Sequence, residues 1–408
     1  MNKLQMRRYA KLIAKTGVNV KKGQWVMVYA ELDQPDFVEM AVEELYRAGA
    51  GKVTVEWTHS PLTKLDYKYQ KLETLSETKQ WEIEKMECRK KELPAMLYLL
   101  SEDPDGLKGV DQEKYTAARS ARVKVFKPYR DAMDNRYQWC IAAVPGREWA
   151  RKVFPLLPVN RAVEKLWEAI LVAARADGVD PIREWARHND EIAGRCDYLN
   201  RLDLASLEYK SSNGTDFKVG LLDDTLFMGG GEEDLKGRYF NPNIPSEEIF
   251  ISPKAGDAEG IVYSTKPLSY QGELIEDFSI RFEGGKVVEV KARKNQALLE
   301  KMISMDEGAK MLGECALIAY DSPINNQGIL YYNTLFDENA SCHLALGSGF
   351  TNCVRGYEDM TREELIAKGI NDSVIHVDFM IGAKDLDIVG VTKKGERVQI
   401  FKNGNWAF

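Results

Sequence analysis

Residues 24–57, QWVMVYAELDQPDFVEMAVEELYRAGAGKVTVEW, give the clearest indication of a fold in this chain. The two ends, QWVMVYA at 24–30 and KVTVEW at 52–57, are short apolar runs rich in valine and aromatic residues, as is typical of buried strands. Between them, PDFVEMAVEELYRAGA has the apolar spacing of an amphipathic helix and ends at a glycine. The segment therefore predicts a βαβ unit with parallel strands.

The same alternation of strands and helices continues on both sides of this segment. We expect a helix at about residues 3–16 before it. After it we expect a charged helical stretch within 64–93, with a solvated face, and a third strand, PAMLYLLS, at 94–101. This rhythm predicts an α/β N-terminal domain with a parallel, doubly wound sheet, which we place at residues 1–195.

The second half of the chain has a different pattern. Short alternating strands such as DFKVGLL, EGIVYST and FSIRFEGGKVVEVKA are separated by glycine, asparagine and aspartate turns, and FEGGKV predicts a tight hairpin. We therefore predict an α+β C-terminal domain with a largely antiparallel sheet at residues 196–408, and we expect this domain to carry the functional site.

Composition limits the class of protein. The 408 residues are 44% hydrophobic and 29% charged, which is ordinary for a soluble globular protein. A net charge of -7 argues against nucleic-acid binding, and no apolar run is long enough to predict a membrane span. Six scattered cysteines without a C-x-x-C pair are typical of reduced thiols. These features predict a cytoplasmic protein.

Several common motifs can be set aside. AGAGKVT at 48–54 lacks the serine or threonine that a phosphate-binding loop places on magnesium, and there is no H-E-x-x-H or G-x-S-x-G. Cys342 and His343 are neighbours in sequence, which does not make them a catalytic dyad. His59 and His188 lie in polar surroundings, so we expect both to be solvated.

The segment SVIHVDFMIG at 373–382 combines a buried-strand pattern with two polar residues. Because strand side chains alternate between faces, His376 and Asp378 are predicted to point the same way. A buried carboxylate without a partner is costly, so something must compensate Asp378.

Three other segments place acids or histidine beside apolar runs. NIPSEEIFISP contains Glu247 and Glu248 ahead of a short apolar run, and MLGECALIAY places Glu314 at the start of an apolar strand. LFDENASCHLALG has helical spacing, which puts Glu338 and His343 on roughly the same side of a predicted helix. Each feature alone has a structural explanation, such as a helix cap or an ion pair. Their concentration in one part of the chain favours a shared site.

A metal site explains this concentration with the fewest assumptions. Histidine and carboxylate ligands suit zinc, cobalt or manganese. Two divalent ions would balance three carboxylates and one hydroxide, so a two-metal site could lie in an apolar pocket. The predicted metal ligands are Glu248, Glu314, His343, His376 and Asp378.

In this order, these segments resemble the metal-binding segments of the M29 family of metalloaminopeptidases. Upstream, YAKLIAKTGVNVKKGQ, FPLLPVNRAVEKLWEAI and SSNGTDFKVGL also resemble family segments, so the resemblance covers nearly the whole chain. It implies a cytosolic, homodimeric aminopeptidase with two divalent metal ions. Its substrates would be peptides with a free N-terminus.

The resemblance also implies a role for each site residue. Glu248 matches the first family glutamate, Glu314 matches the glutamate thought to bridge the metals, and His343 matches the histidine of an H-x-A-x-G helix. His376 and Asp378 match the closing pair of ligands. A sixth residue, Glu338, matches a glutamate near the metals, as a ligand or as the catalytic acid–base group.

Two positions depart from the family pattern. Glu247 stands where the family usually has glycine, which leaves two neighbouring glutamates as candidates for the first ligand. Phe350 stands where the family usually has a tyrosine whose hydroxyl lies at the metal centre. Phenylalanine keeps the ring but offers no hydrogen bond. The sequence offers Tyr331, Tyr332 and Tyr357 as alternative hydroxyls.

Two alternatives to an aminopeptidase stay open at this point. One is a two-metal hydrolase of another amide or ester bond, although a phosphoesterase would be expected to carry basic residues beside the ligands, and these segments have none. The other is a catalytically weak peptide-binding homologue, which the phenylalanine at position 350 favours.

Overall fold

The computed structural model describes residues 2–408, which form two compact units. The first unit extends to Arg187 and also includes Gly231–Pro245. The second comprises His188–Gly230 and Ser246–Phe408. The domain bounds predicted from the sequence, 1–195 and 196–408, stay a prediction.

The helices and strands have the following bounds. The helices are α1 (Lys3–Leu12), α2 (Pro35–Ala48), α3 (Ser60–Tyr69), α4 (Leu72–Ser76), α5 (Gln80–Glu92), α6 (Gln112–Met133), α7 (Arg147–Val153), α8 (Val159–Ala173), α9 (Pro181–Arg201), α10 (Gln296–Ile303), α11 (Thr334–Glu338) and α12 (Arg362–Lys368). The strands are β1 (Trp25–Glu31), β2 (Lys52–Thr58), β3 (Ala95–Leu100), β4 (Trp139–Ala143), β5 (Leu204–Lys210), β6 (Asp216–Leu221), β7 (Met228–Gly229), β8 (Glu232–Glu233), β9 (Tyr239–Phe240), β10 (Asn243–Ile244), β11 (Ile249–Ile251), β12 (Pro253–Tyr263), β13 (Leu268–Tyr270), β14 (Glu273–Glu283), β15 (Lys286–Lys294), β16 (Leu312–Leu317), β17 (His343–Gly347), β18 (His376–Met380), β19 (Asp387–Thr392), β20 (Arg397–Lys402) and β21 (Asn405–Trp406).

The first unit contains a five-stranded parallel sheet in the order β10-β4-β3-β1-β2. Between β1 and β2, α2 begins at Pro35, whose missing N–H costs nothing in a first turn, and ends at Gly49 with φ of 117°. Because β2 and β3 lie on opposite sides of β1, the chain winds in both directions from that strand, as in a doubly wound sheet. The predicted α/β fold is confirmed.

The second unit contains two antiparallel sheets, which confirms the predicted fold class of the later part of the chain. The smaller sheet has the order β18-β17-β16-β11-β7, and the larger one runs from β13 through β14, β12, β6, β5, β19 and β20 to β21, with β15 paired to β14. The predicted FEGGKV hairpin joins β14 to β15, and both of its glycines have positive φ.

The segment around His343 differs from its predicted secondary structure. The predicted helix around His343 is wrong beyond Glu338, because α11 ends there and residues 343–347 form β17 instead. That strand is hydrogen-bonded to β16 on one side and to β18 on the other.

Among residues 2–408, no helix combines the length and apolar character needed to cross a membrane.

Candidate metal centre

The register of the smaller sheet brings four predicted ligands to one face. Glu314 of β16 lies opposite Ala345 of β17, and Ala345 lies opposite Asp378 of β18. Directly opposed residues point to the same side of a sheet, and so do residues two apart on one strand. His343 and His376, two residues before Ala345 and Asp378, therefore share this face. The short side chain of Ala345 leaves space between the two acids.

Glu248 reaches the same face from the strand on the other side of β16. It is two residues before Phe250, which pairs with Ala316, and Ala316 pairs with His343. Glu248 directly precedes the first residue of β11. If the alternation of the strand extends to it, its side chain lies on the same face as His343. The neighbouring acid, Glu247, instead has its carboxylate 4.0 Å from the Nε2 atom of His188.

The five side chains form two groups that share one carboxylate. The Nε2 atom of His343 lies 3.4 Å from Oε2 of Glu248 and 4.0 Å from Oε1 of Glu314. The Nε2 atom of His376 lies 3.1 Å from Oε2 of Glu314 and 3.2 Å from Oδ1 of Asp378. In each group the potential ligand atoms lie within 4.8 Å of one another. Glu314 contributes one oxygen to each group.

Backbone carbonyls fix the orientation of both imidazoles. The Nδ1 atom of His343 lies 2.9 Å from the carbonyl oxygen of Glu338, and Nδ1 of His376 lies 2.7 Å from that of Ser348. A carbonyl oxygen only accepts, so each Nδ1 carries the proton. In a neutral imidazole the Nε2 atom then presents a lone pair to the carboxylates, and this is the form that binds a metal ion.

The centre needs positive charge that the other side chains do not supply. The Oδ1 atom of Asp378 is buried, and its 3.2 Å contact with Nε2 of His376 does not have the geometry of a hydrogen bond. Within the described residues, neither Glu314 nor Asp378 forms an ion pair with a lysine or arginine. Burial alone would lower the pKa of His376, but the carboxylates of Asp378 and Glu314 raise it well above its usual range. A divalent cation in place of that proton fits this donor set.

Two further predicted residues lie beside these groups. Glu338 is the last residue of α11, is partly exposed, and interacts with Asp378. Burial of its carboxyl group and the nearby carboxylates of Asp378, Glu248 and Glu314 raise its pKa well above the usual range. The ring of Phe350 lies 4.9 Å from the imidazole of His376, centroid to centroid.

The sequence did not reveal the residues that hold the loop before Glu248. Asn339, fully buried, accepts a hydrogen bond from the backbone N–H of Glu247 at 2.8 Å and donates one to the carbonyl of Leu335 at 3.0 Å. The Nε2 atom of His188 lies 2.7 Å from the carbonyl oxygen of Ser246. These contacts hold the loop from both sides.

The expectation that His188 is solvated is wrong. The residue is only 4% exposed, and it lies on α9 three residues after Trp185 and four before Ile192, both buried. This is the apolar spacing of one helix face. That spacing was the signal available in the sequence, but the charged residues around position 188 obscured it.

Comparison with known proteins identifies the family. A family model described as "Thermophilic metalloprotease (M29)" matches residues 2–406. The chain belongs to the M29 family. Aminopeptidase AmpS of Bacillus subtilis is 41% identical to this M29 protein over 405 residues, 99% of this chain and 98% of the relative. Aminopeptidase 2 of Geobacillus stearothermophilus is 40% identical over the same shares.

A solved structure agrees with this assignment. Wild-type AmpT from Thermus thermophilus is 36% identical and matches with a TM-score of 0.91 over 100% of both chains. The predicted resemblance to the M29 family is confirmed, and the protein is a metal-dependent peptidase.

Proposed function

We propose that this M29 protein is a two-metal aminopeptidase that releases N-terminal amino acids from peptides. The observation that carries the proposal is the position of Glu314, whose two oxygens face two separate histidine–carboxylate groups. One carboxylate shared between two adjacent groups favours a pair of ions over a single one. The named relatives are aminopeptidases, which supports peptide substrates with a free N-terminus.

Each ion would have its own histidine and carboxylate. Glu248 and His343 would hold one ion, His376 and Asp378 would hold the other, and Glu314 would contact both. These oxygen and nitrogen donors suit zinc, cobalt or manganese. When bound, such a pair lowers the pKa of a shared water and polarises the scissile carbonyl.

Other side chains of the protein would transfer protons and provide an apolar surface beside the metal site. Glu338 would accept a proton from the attacking water and donate it to the leaving amine. Its partial exposure allows access to substrate. Phe350 and Phe250, with ring centroids 5.2 Å apart, place apolar surface beside His376. The homodimer and the cytoplasmic location stay predictions from the resemblance.

Hydrolysis of aminoacyl-nitroanilides tests this function directly. Protein stripped with a chelator is expected to be inactive and to regain activity with zinc, cobalt or manganese. A matched substrate with an acetylated amino group is expected to stay uncleaved, because an aminopeptidase requires the free amine. Full activity without metal would contradict the metal-dependent mechanism, and equal cleavage of the acetylated substrate would contradict N-terminal specificity.

Phe350 favours a second candidate function, a peptide-binding protein with weak catalysis. Replacing it by tyrosine is expected to raise turnover, up to roughly a hundredfold if the new hydroxyl stabilises the oxyanion. The Phe350 side chain is adjacent to His376 and 37% exposed, so the structure has room for the added oxygen. The measurement is kcat on leucyl-nitroanilide, with Phe408→Tyr as a control at another exposed ring. Unchanged kcat in Phe350→Tyr would show that catalysis does not need a hydroxyl at this position.

A further inference from the structure

The first unit contains a cavity of about 500 Å³ that the proposed peptidase chemistry does not use. Its lining comes from β1, β3, α3, α5, α6 and the loop after α6. Seven aromatic rings and five basic side chains line it, against a single carboxylate, that of Glu82. The chain as a whole has a net charge of -7, so this basic concentration is local.

Two of the basic side chains are already neutralised. Arg122 forms an ion pair with Glu82, and Lys85 forms one with Glu56 at 2.6 Å. Glu82, the carboxylate that lines the cavity, is therefore already paired.

Arg89 and Arg130 have no carboxylate partner among the described residues. Arg89 donates to the hydroxyl of Tyr29 at 3.4 Å, also hydrogen-bonds Tyr98, and contacts the sulfur atoms of Met86 and Met96. Its Nε atom is buried and has no hydrogen-bond partner. The side chain of Arg130 lines the same cavity, and it forms no hydrogen bond or ion pair with the described residues, 2–408. A buried guanidinium nitrogen that lacks an acceptor is costly, and an anionic ligand would satisfy it.

The aromatic lining presents flat surfaces beside these charges. Tyr29 and Tyr98 stack with ring centroids 5.4 Å apart and planes inclined by 18°. The guanidinium of Arg89 lies 5.8 Å from the centroid of the Tyr29 ring. Aromatic rings with nearby guanidinium groups favour a ligand that is itself planar.

We propose that this cavity binds a small aromatic anion, a planar ring that carries a carboxylate or a phosphate. Arg89 and Arg130 would bind the charge, and the tyrosines would contact the ring. The volume falls within the range of about 300–1,000 Å³ that is usual for small-molecule sites. A neutral aromatic ring would leave the buried Nε atom of Arg89 without an acceptor, and an inorganic anion would leave the aromatic rings without a partner. The site is separate from the proposed ligand set, because every lining residue belongs to the first unit.

Calorimetric titration of the metal-loaded protein tests the ligand class. The probes are N-acetyltryptophan for the aromatic carboxylate and adenosine 5′-monophosphate for the aromatic phosphate, with N-acetyltryptophanamide and adenosine as neutral counterparts. At least one anion is expected to bind at least tenfold more tightly than its neutral counterpart. Such a difference for N-acetyltryptophan identifies a carboxylate site, and one for adenosine 5′-monophosphate identifies a phosphate site. No binding of either anion at millimolar concentration, or equal binding of the neutral compounds, would overturn the proposal.

Charge variants then locate the binding. Arg130→Gln and Arg89→Met are each expected to lower the affinity for the anion by about tenfold, because each substitution removes one charged hydrogen bond. Lys124→Gln removes a charge from an exposed residue of the same helix, α6, that does not line the cavity, so it is the matched control. Arg130 is exposed, so its substitution leaves folding intact even if Arg89→Met perturbs packing. Affinity in Arg130→Gln equal to that in Lys124→Gln would place the anion elsewhere, for example at the metal centre.

Discussion

Replacement of Glu338 by glutamine is expected to lower turnover by roughly 10²–10⁴-fold while both metal ions remain bound. Glutamine has the size of glutamate but carries no transferable carboxyl proton. Burial of the carboxyl group, followed by the nearby carboxylates of Asp378, Glu248 and Glu314, raises the pKa of Glu338. Metal ions bound to those three carboxylates would offset their repulsion, so that Glu338 ionises and accepts a proton from water. The amide retains the packing at the end of α11, so the ligand positions should not change.

Metal content and kcat, measured on the same preparation, separate the two roles that the resemblance assigns to Glu338. Retained metal with low kcat identifies an acid–base group, whereas lost metal identifies a ligand. Glu358→Gln is the matched control, because Glu358 is exposed and outside the centre, and it should behave as the wild type. Turnover within threefold of wild type in Glu338→Gln would remove this residue from the mechanism.

The parts of the fold that depend on local pattern could be predicted from the sequence. An apolar run forms β1, and the helix that follows begins at Pro35 and ends before Gly49. The common orientation of His376 and Asp378 follows from the two-residue period of one strand. No distant residue is needed for any of these features.

The parts that depend on distant partners could not be predicted in the same way. The segment around His343 has helical spacing, but its backbone hydrogen bonds go to β16 and β18, which are far away in sequence. Long-range pairing of this kind overrides local preference. Likewise, Asn339 binds the backbone N–H of Glu247 from 92 positions along the chain, and no local signal distinguishes Glu247 from Glu248.

Substitution of Glu314 by glutamine is expected to abolish activity by removing both metal ions together. Its two carboxylate oxygens face different histidines, so a single loss of charge affects both groups. Metal affinity should fall by roughly a hundredfold or more, since even residues outside the ligand set contribute tenfold to a hundredfold. The amide keeps the size of the side chain and can still hydrogen-bond His376, so the fold should be retained.

Metal stoichiometry, measured by elemental analysis after equilibrium dialysis, provides the test, with Glu248→Gln as the matched variant. Glu248 belongs to one group only, so its variant should keep about one ion per chain, held by His376 and Asp378. Added metal should raise the Tm of the wild type and of Glu248→Gln, but not that of Glu314→Gln, because a ligand stabilises only a protein that binds it. Two ions bound to Glu314→Gln would contradict the shared carboxylate. Loss of both ions from Glu248→Gln would mean that the second ion binds only after the first.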